Sequence, residues 1–145
     1  MGISILCDFV FSDYLVRSLK LRLNGPDGDS VKEERDIEQY HYLVWKDYMA
    51  PEHPVGIIRF IKRINEVNGS NGTSIEKGPI LVHCSAGVGR TGTLVALDSL
   101  LQQLDEEGCV SILKTVCKLR HQRNYLVQSL VNLGKMNIYL CTVDS

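Results

Sequence analysis

The chain lacks an excess of charge of either sign. Its 16 Lys and Arg stand against 17 Asp and Glu, a formal net charge of −1. No basic stripe is present of the kind that grips a phosphate backbone, which excludes a general nucleic-acid binder. Paired cysteines are missing too. The five present, Cys7, Cys84, Cys109, Cys117 and Cys141, are odd in number and show neither a CxxC pair nor a Cys/His ligand spacing. That disfavours a disulfide framework and a zinc site, and suits a reducing compartment. No apolar run approaches the length of a membrane span, and the start has no basic n-region or apolar h-region, so a cytosolic protein is expected. Met1-Gly2 is followed by Leu6 where myristoylation wants Ser or Thr, and the sequons at Asn68 and Asn71 fall in a Gly/Ser/Asn-rich connector. Internal repeats and low-complexity tracts are absent. What remains is ordinary globular usage, 44% apolar and 23% charged over 145 residues, enough for one domain with its own core.

Hydropathy patterning divides the chain. Leu15, Arg17, Leu19, Leu21 and Leu23 alternate with Val16, Ser18, Lys20 and Arg22, a two-residue period that predicts a half-buried strand. NGPDGD follows as a tight turn, and Ile37 to Trp45 resumes the alternation, so a hairpin is expected. From Pro51 the period becomes helical through Ile57, Ile58, Phe60, Ile61, Ile64 and Val67, with Gly69 as its stop. PILVHC, short and apolar behind Gly-Pro, predicts a strand buried on both faces. Leu94, Leu97, Leu101 and Leu104 predict a helix ending near Gly108, Val110 to Leu119 another, and Leu126 to Leu140 a last. The order gives an α/β domain in which a strand ends at Cys84 and hands over to a helix, where ligands of open α/β sheets bind.

The handover reads ILVHCSAGVGRTGT, Ile80 to Thr93. Gly87 and Gly89 can turn successive N–H groups inward ahead of a helix dipole, a concavity suited to phosphate. A thiol there is pulled toward thiolate by the helix N-terminus and the Arg90 guanidinium, which makes Cys84 a candidate nucleophile. Arg90 can grip two phosphoryl oxygens in a bidentate contact that lysine cannot copy. Alone, Cys84 would read as a small buried residue at the end of a core strand. A core, however, has no use for an arginine six residues on.

HCSAGVGRTGT resembles the signature loop of the cysteine-dependent protein tyrosine phosphatases, residue for residue over Cys84, Ser85, Ala86, Gly87, Val88, Gly89, Arg90, Thr91 and Gly92. QYHYLVWKDYMAPEHP resembles the family's mobile acid loop, LRHQRNYLVQSLVNL its glutamine loop, and DYLVRSLKLRL the strand region before the acid loop, a likeness that runs from about Asp13 onward. The resemblance implies a truncated phosphatase fold in one domain over residues 1–145, the C-terminal catalytic half of a classical tyrosine-specific domain. Its partial mixed sheet would hold the phosphate-binding loop between a buried strand and a helix. It also implies the roles. Cys84 attacks phosphorus. Ser85 to Gly89 and Arg90 hold the phosphoryl oxygens, Thr91 donates to the leaving thiolate, and His83 supports the loop. Asp47 is general acid and then base, and Gln128 positions the hydrolytic water. Read without the resemblance, Asp47 is a solvated acid beside a turn and Gln128 a polar surface residue. The implied partner is a phosphotyrosine-containing protein or peptide, the implied location the cytoplasm or the cytoplasmic part of a longer receptor-type protein. No cofactor or metal is implied, because Arg90 and the amides supply the charge stabilisation.

Three departures from the family pattern bear on activity. Lys46 stands where the family has proline, which frees a fixed φ and sets a cation beside Asp47. Tyr125 replaces a small glycine and Asn132 a second glutamine. The family's substrate-recognition loop, whose tyrosine stacks on the substrate ring, has no counterpart before Asp13, and uncovered sheet edges would invite association. Three readings follow: a phosphotyrosine phosphatase, a phosphoprotein-binding module with little turnover, and a dual-specificity phosphatase, the last disfavoured by the acid-loop and glutamine-loop likeness.

Overall fold

The computed structural model describes residues 2–28, 30–46, 49–69 and 78–141, which fall into two compact units, Met1–Val44 and Trp45–Ser145. The first is a three-stranded sheet of β1 (Gly2–Val10), β2 (Tyr14–Asn24) and β3 (Val31–Tyr42), in the order β1-β2-β3 and antiparallel throughout. Short connections dictate this, since a parallel pair needs a crossover of about a dozen residues. Phe11 N donates to Tyr14 O at 2.9 Å in one turn; in the other, Gly25 N donates to Ser30 O at 2.8 Å and Gly28 takes φ +81°.

The expected hairpin is β2 with β3, but β3 starts at Val31 and ends at Tyr42. Its first half, VKEERD, shows no apolar alternation because charge does the pairing: Glu34 receives Lys20 at 2.6 Å and Arg22 at 2.9 Å, and Asp36 receives Lys20 at 3.2 Å. β1 was not foreseen from the sequence, although Ile3, Ile5 and Phe9 carry the β-branched and aromatic signal. Its register shifts between Ile5 and Cys7, and every residue in it is exposed.

The second unit is helical: α1 (Pro54–Asn68), α2 (Gly89–Glu107), α3 (Ile112–Gln122) and α4 (Leu130–Cys141). The ends of α1 and α2 follow the sequence rules. Pro54 begins α1, and Gly69 (φ 91°) and Gly108 (φ 67°) close α1 and α2 in the left-handed region. α2 packs against the other three helices and buries Ala96, Leu97, Leu100 and Leu101, with Ile57, Phe60 and Ile61 contributed by α1 and Met136 and Tyr139 by α4. Two buried or half-buried polar links fix the packing: Tyr139 Oη donates to Pro51 O at 2.8 Å, and Asn65 Nδ2 to Asp98 Oδ1 at 2.6 Å.

The α/β class expected from the sequence holds, with two corrections. The described sheet is antiparallel, not mixed. PILVHC is not a buried strand: residues 79–84 have no strand assignment, and Leu81 is 87% exposed. A strand buried on both faces needs neighbours on both sides, and the sheet order contains no place for this one. An apolar run sets a preference and cannot supply partners. α4 also begins later than periodicity predicts, because Leu126 and Val127 are buried in the loop before it rather than in its first turn.

Candidate active site

Cys84, half-buried, ends the segment that enters α2. Gly87 takes φ 69°, which aims its N–H back at the thiol, 3.2 Å from Sγ. Burial pushes this thiol up. The Thr91 hydroxyl and the backbone amides of Thr91, Gly87 and Val88 outweigh it, and the pKa falls from the ordinary 9.0 to about 7. The Thr91 hydroxyl is itself buried and forms no hydrogen bond of good geometry with a described residue. Its effect on sulfur is therefore that of a nearby dipole rather than of a formed bond. α2 has no acidic residue in its first turn, so the helix itself does not offset its positive end next to the loop.

Arg90, in that first turn, reaches back over the loop: Nη2 donates to Ser85 Oγ and Nη1 to Trp45 O, both at 3.3 Å. Trp45 is 6% exposed, and its Nε1 donates to Met49 O at 2.8 Å. Asp47, the expected general acid, lies outside the described residues, as does Tyr48. His83 is exposed and makes no side-chain hydrogen bond to a described residue. Ser85 and Ala86 are exposed at the loop, while Gly87, Val88 and Gly89 are half-buried.

Gln128 belongs to the same place. Its Oε1 lies 3.8 Å from where a Cβ on Gly89 would stand. The backbone before it docks on the start of α2, where Val88 O accepts from both Gly92 N (3.2 Å) and Val127 N (3.1 Å). Gly92 permits the approach, since a Cβ there would come within 2.4 Å of Val127 N. Tyr125 and Val127 hold φ of 66° and 57°, a conformation that costs a side-chain-bearing residue about 1–3 kcal/mol. Arg120 donates to Leu126 O and Val127 O, both at 2.9 Å. With Asn124, Tyr125 and Gln128 it lines a cleft of about 400 Å³. Arg123 Nη2 stands 3.1 Å from the Cβ position of Gly87.

The structure thus gathers Cys84, the loop amides, Arg90, Thr91 and Gln128, and adds Trp45, Gly92, Arg120 and Arg123, to which sequence reasoning gave no role of their own. All four lie within the quoted segments, Trp45 in QYHYLVWKDYMAPEHP, Gly92 in HCSAGVGRTGT, and Arg120 and Arg123 in LRHQRNYLVQSLVNL. Among the described residues no three His, Cys, Asp or Glu side chains converge to hold a metal, and no helix is long and apolar enough to cross a membrane.

Comparison with known proteins agrees with this geometry. The family model described as Protein-tyrosine phosphatase matches residues 4–139, so the likeness starts nine residues earlier than Asp13 and includes β1. Tyrosine-protein phosphatase 69D of Drosophila melanogaster is 64% identical over 118 residues, 81% of this chain and 8% of that protein. A receptor-type tyrosine-protein phosphatase of Caenorhabditis elegans is 46% identical over 139 residues, covering 82% of this chain and 10% of its own length. The human receptor-type tyrosine-protein phosphatase F is 35% identical over 127 residues, 88% of this chain and 6% of that protein. The chain spans about a tenth or less of the length of these three relatives. With the family model covering both units and the relatives agreeing on it, the chain belongs to the protein-tyrosine phosphatase family.

Proposed function

We propose that this chain hydrolyses phosphotyrosine in proteins or peptides through a phosphocysteine intermediate, and that both units belong to a single catalytic domain. The observation that carries the reading is the Cys84 thiol, lowered to about 7 among the amides of a loop that Arg90 crosses. Near neutral pH a large fraction is thiolate, the form that attacks. Cys84 Sγ attacks phosphorus, the P–O bond to the tyrosyl oxygen breaks, and Asp47 delivers its proton to that oxygen. A water placed by Gln128 then attacks the phosphocysteine, its proton passes to the Asp47 carboxylate, and the P–S electron pair returns to Cys84, eased by Thr91. Through both steps Ser85, Ala86, Gly87, Val88 and Gly89 present the loop to the phosphoryl oxygens, where Arg90 and the backbone amides meet the negative charge, and His83 supports the loop. Fixed dipoles of this kind stabilise developing charge without reorganising.

Cytoplasmic placement belongs to the same reading, since Cys84, a reactive thiol, needs a reducing medium. So does association through β1, an edge strand with Ile3, Ile5 and Phe9 exposed. Sedimentation of the chain against Ile5→Lys tests that part.

The deciding experiment is phosphate release from a phosphotyrosine peptide and from p-nitrophenyl phosphate. Cys84→Ser abolishes turnover if the reading is right, and Asp47→Asn lowers kcat on the peptide by about a hundredfold or more. Phosphopeptide binding without turnover in folded protein would instead establish a binding module. That second reading is favoured by residues 79–84, which approach Cys84 without strand pairing.

A further inference from the structure

The segment between α3 and α4 places two left-handed residues, Tyr125 and Val127, where no glycine eases the backbone. For a β-branched residue such as Val127 this conformation is a genuine outlier, and the surroundings must impose it. Burial of Leu126 and Val127 contributes, as does the bond from Val127 N to Val88 O. The remaining constraint is Arg120. From the last turn of α3 its Nε meets Leu126 O and its Nη2 meets Val127 O, both at 2.9 Å, so one planar fork fixes two successive carbonyls. The next residue is Gln128, whose amide oxygen lies against Gly89.

We propose that Arg120 is a positioning residue for breakdown of the phosphocysteine: its fork holds the left-handed backbone at Leu126–Val127, and that backbone sets Gln128 at the mouth of the phosphate loop. The inference rests on the phosphatase reading above. In this step a water oxygen bonds to phosphorus as the P–S bond breaks, the sulfur takes the electron pair, the water proton goes to the Asp47 carboxylate, and inorganic phosphate leaves. Arg120 touches none of these atoms. Formation of the phosphocysteine needs Cys84, Arg90 and Asp47 and is indifferent to Gln128, so losing the fork slows the second step and spares the first.

The test uses the 145-residue chain with p-nitrophenyl phosphate. Arg120→Met is expected to lower kcat by about tenfold to a hundredfold, the cost of misplacing a catalytic group by an ångström. A rapid first release of about one nitrophenolate per enzyme should persist, and phosphocysteine should accumulate. Alkylation of Cys84 by iodoacetate should keep its pH profile. Gln128→Ala should give the same burst, and the Arg120→Met/Gln128→Ala double variant should be no slower than Gln128→Ala alone, because both changes remove one interaction. Additive losses, a slowed first turnover or an unchanged kcat would each overturn the proposal. Amide exchange at Asn124 to Gln128 reads the fork without any turnover, and Arg120→Met should accelerate it. Should the wild-type chain release no phosphate, the phosphatase reading falls by itself, and unaltered exchange in Arg120→Met would separately overturn the clamp. Arg120→Lys keeps the charge but lacks the planar fork, and it stands in if Arg120→Met fails to fold by circular dichroism. Lysine values between wild type and Gln128→Ala support the proposal, and wild-type values in both exchange and burst overturn it.

Discussion

Arg90 Nη1 donates to the carbonyl oxygen of Trp45 at 3.3 Å, which ties the guanidinium over the phosphate loop to the first residue of the turn that carries Lys46. Because Trp45 is buried and its indole bonds Met49 O, residues 45 and 49 are held to one another.

Lys46 follows Trp45 directly, inside that tie. It is exposed, and its carbonyl accepts from Met49 N at 3.4 Å, a bond that proline at the same position would keep. Proline there narrows φ at that one residue, which at compatible sites stabilises the bonded arrangement by about 0.4–1 kcal/mol. Converted at 1.36 kcal/mol per tenfold, Lys46→Pro should raise kcat on a phosphotyrosine peptide by about two- to fivefold. An unchanged or lower rate in stopped-flow turnover would remove Lys46 as a brake.

Cys84 should titrate far below an ordinary thiol. Its alkylation rate by iodoacetate should rise with a midpoint of about 7, and Thr91→Val should move that midpoint up by removing a hydroxyl that favours the thiolate. The same shift appears in stability. Below about 7 the group is protonated in both folded and unfolded chain and contributes nothing; between there and 9.0 the unfolded chain holds a proton that the folded one has released. Stability relative to Cys84→Ser should therefore increase across that window and level off above it. A flat difference in urea midpoints from about pH 6 to about pH 10 would contradict the depressed value.

How much of this was legible in the sequence depends on how local each cause is. The Cys84–Gly92 loop could be read because its amides, thiol and guanidinium are contiguous, and Gly69 and Gly108 because a left-handed helix stop is a property of one residue. The strand forecast at PILVHC failed because a strand needs partners that its own residues do not specify. β3 began six residues before Ile37 because Lys20 and Arg22, distant in the chain, select Glu34 and Asp36. Tyr125 and Val127 could not be read at all, since no rule places a bulky or β-branched residue at positive φ; Arg120 on α3 and Val88 and Gly92 at the start of α2 impose it from two other segments.

Asn132 marks a polar group that the fold buries at a cost. It is 3% exposed on α4, and its Oδ1 has no hydrogen-bond partner among the described residues. An unsatisfied buried acceptor costs about 1–3 kcal/mol, which Asn132→Leu, of similar size, would recover. The expected result is a higher urea midpoint at unchanged m. A lower midpoint would mean that the amide is satisfied in solution.

Two glycines inside helices should respond to alanine with opposite signs. Intrinsic propensity favours alanine in both by about 0.8–1 kcal/mol. At Gly134, in α4, an added Cβ meets nothing within 4 Å, so propensity acts alone and Gly134→Ala should raise the melting temperature. At Gly92 the same Cβ would stand 2.4 Å from Val127 N and 3.0 Å from Leu126 C and Cα, all of them backbone and unable to rotate away. Forced separation of that loop from α2 costs about 1–3 kcal/mol, more than the propensity gain, so Gly92→Ala should lower the melting temperature. It should also weaken the bond from Val127 N to Val88 O and displace Gln128, so that kcat falls further than the loss of folded protein accounts for. If Gly92→Ala matched Gly134→Ala in thermal melts, the loop and α2 could not lie as close as the structure places them.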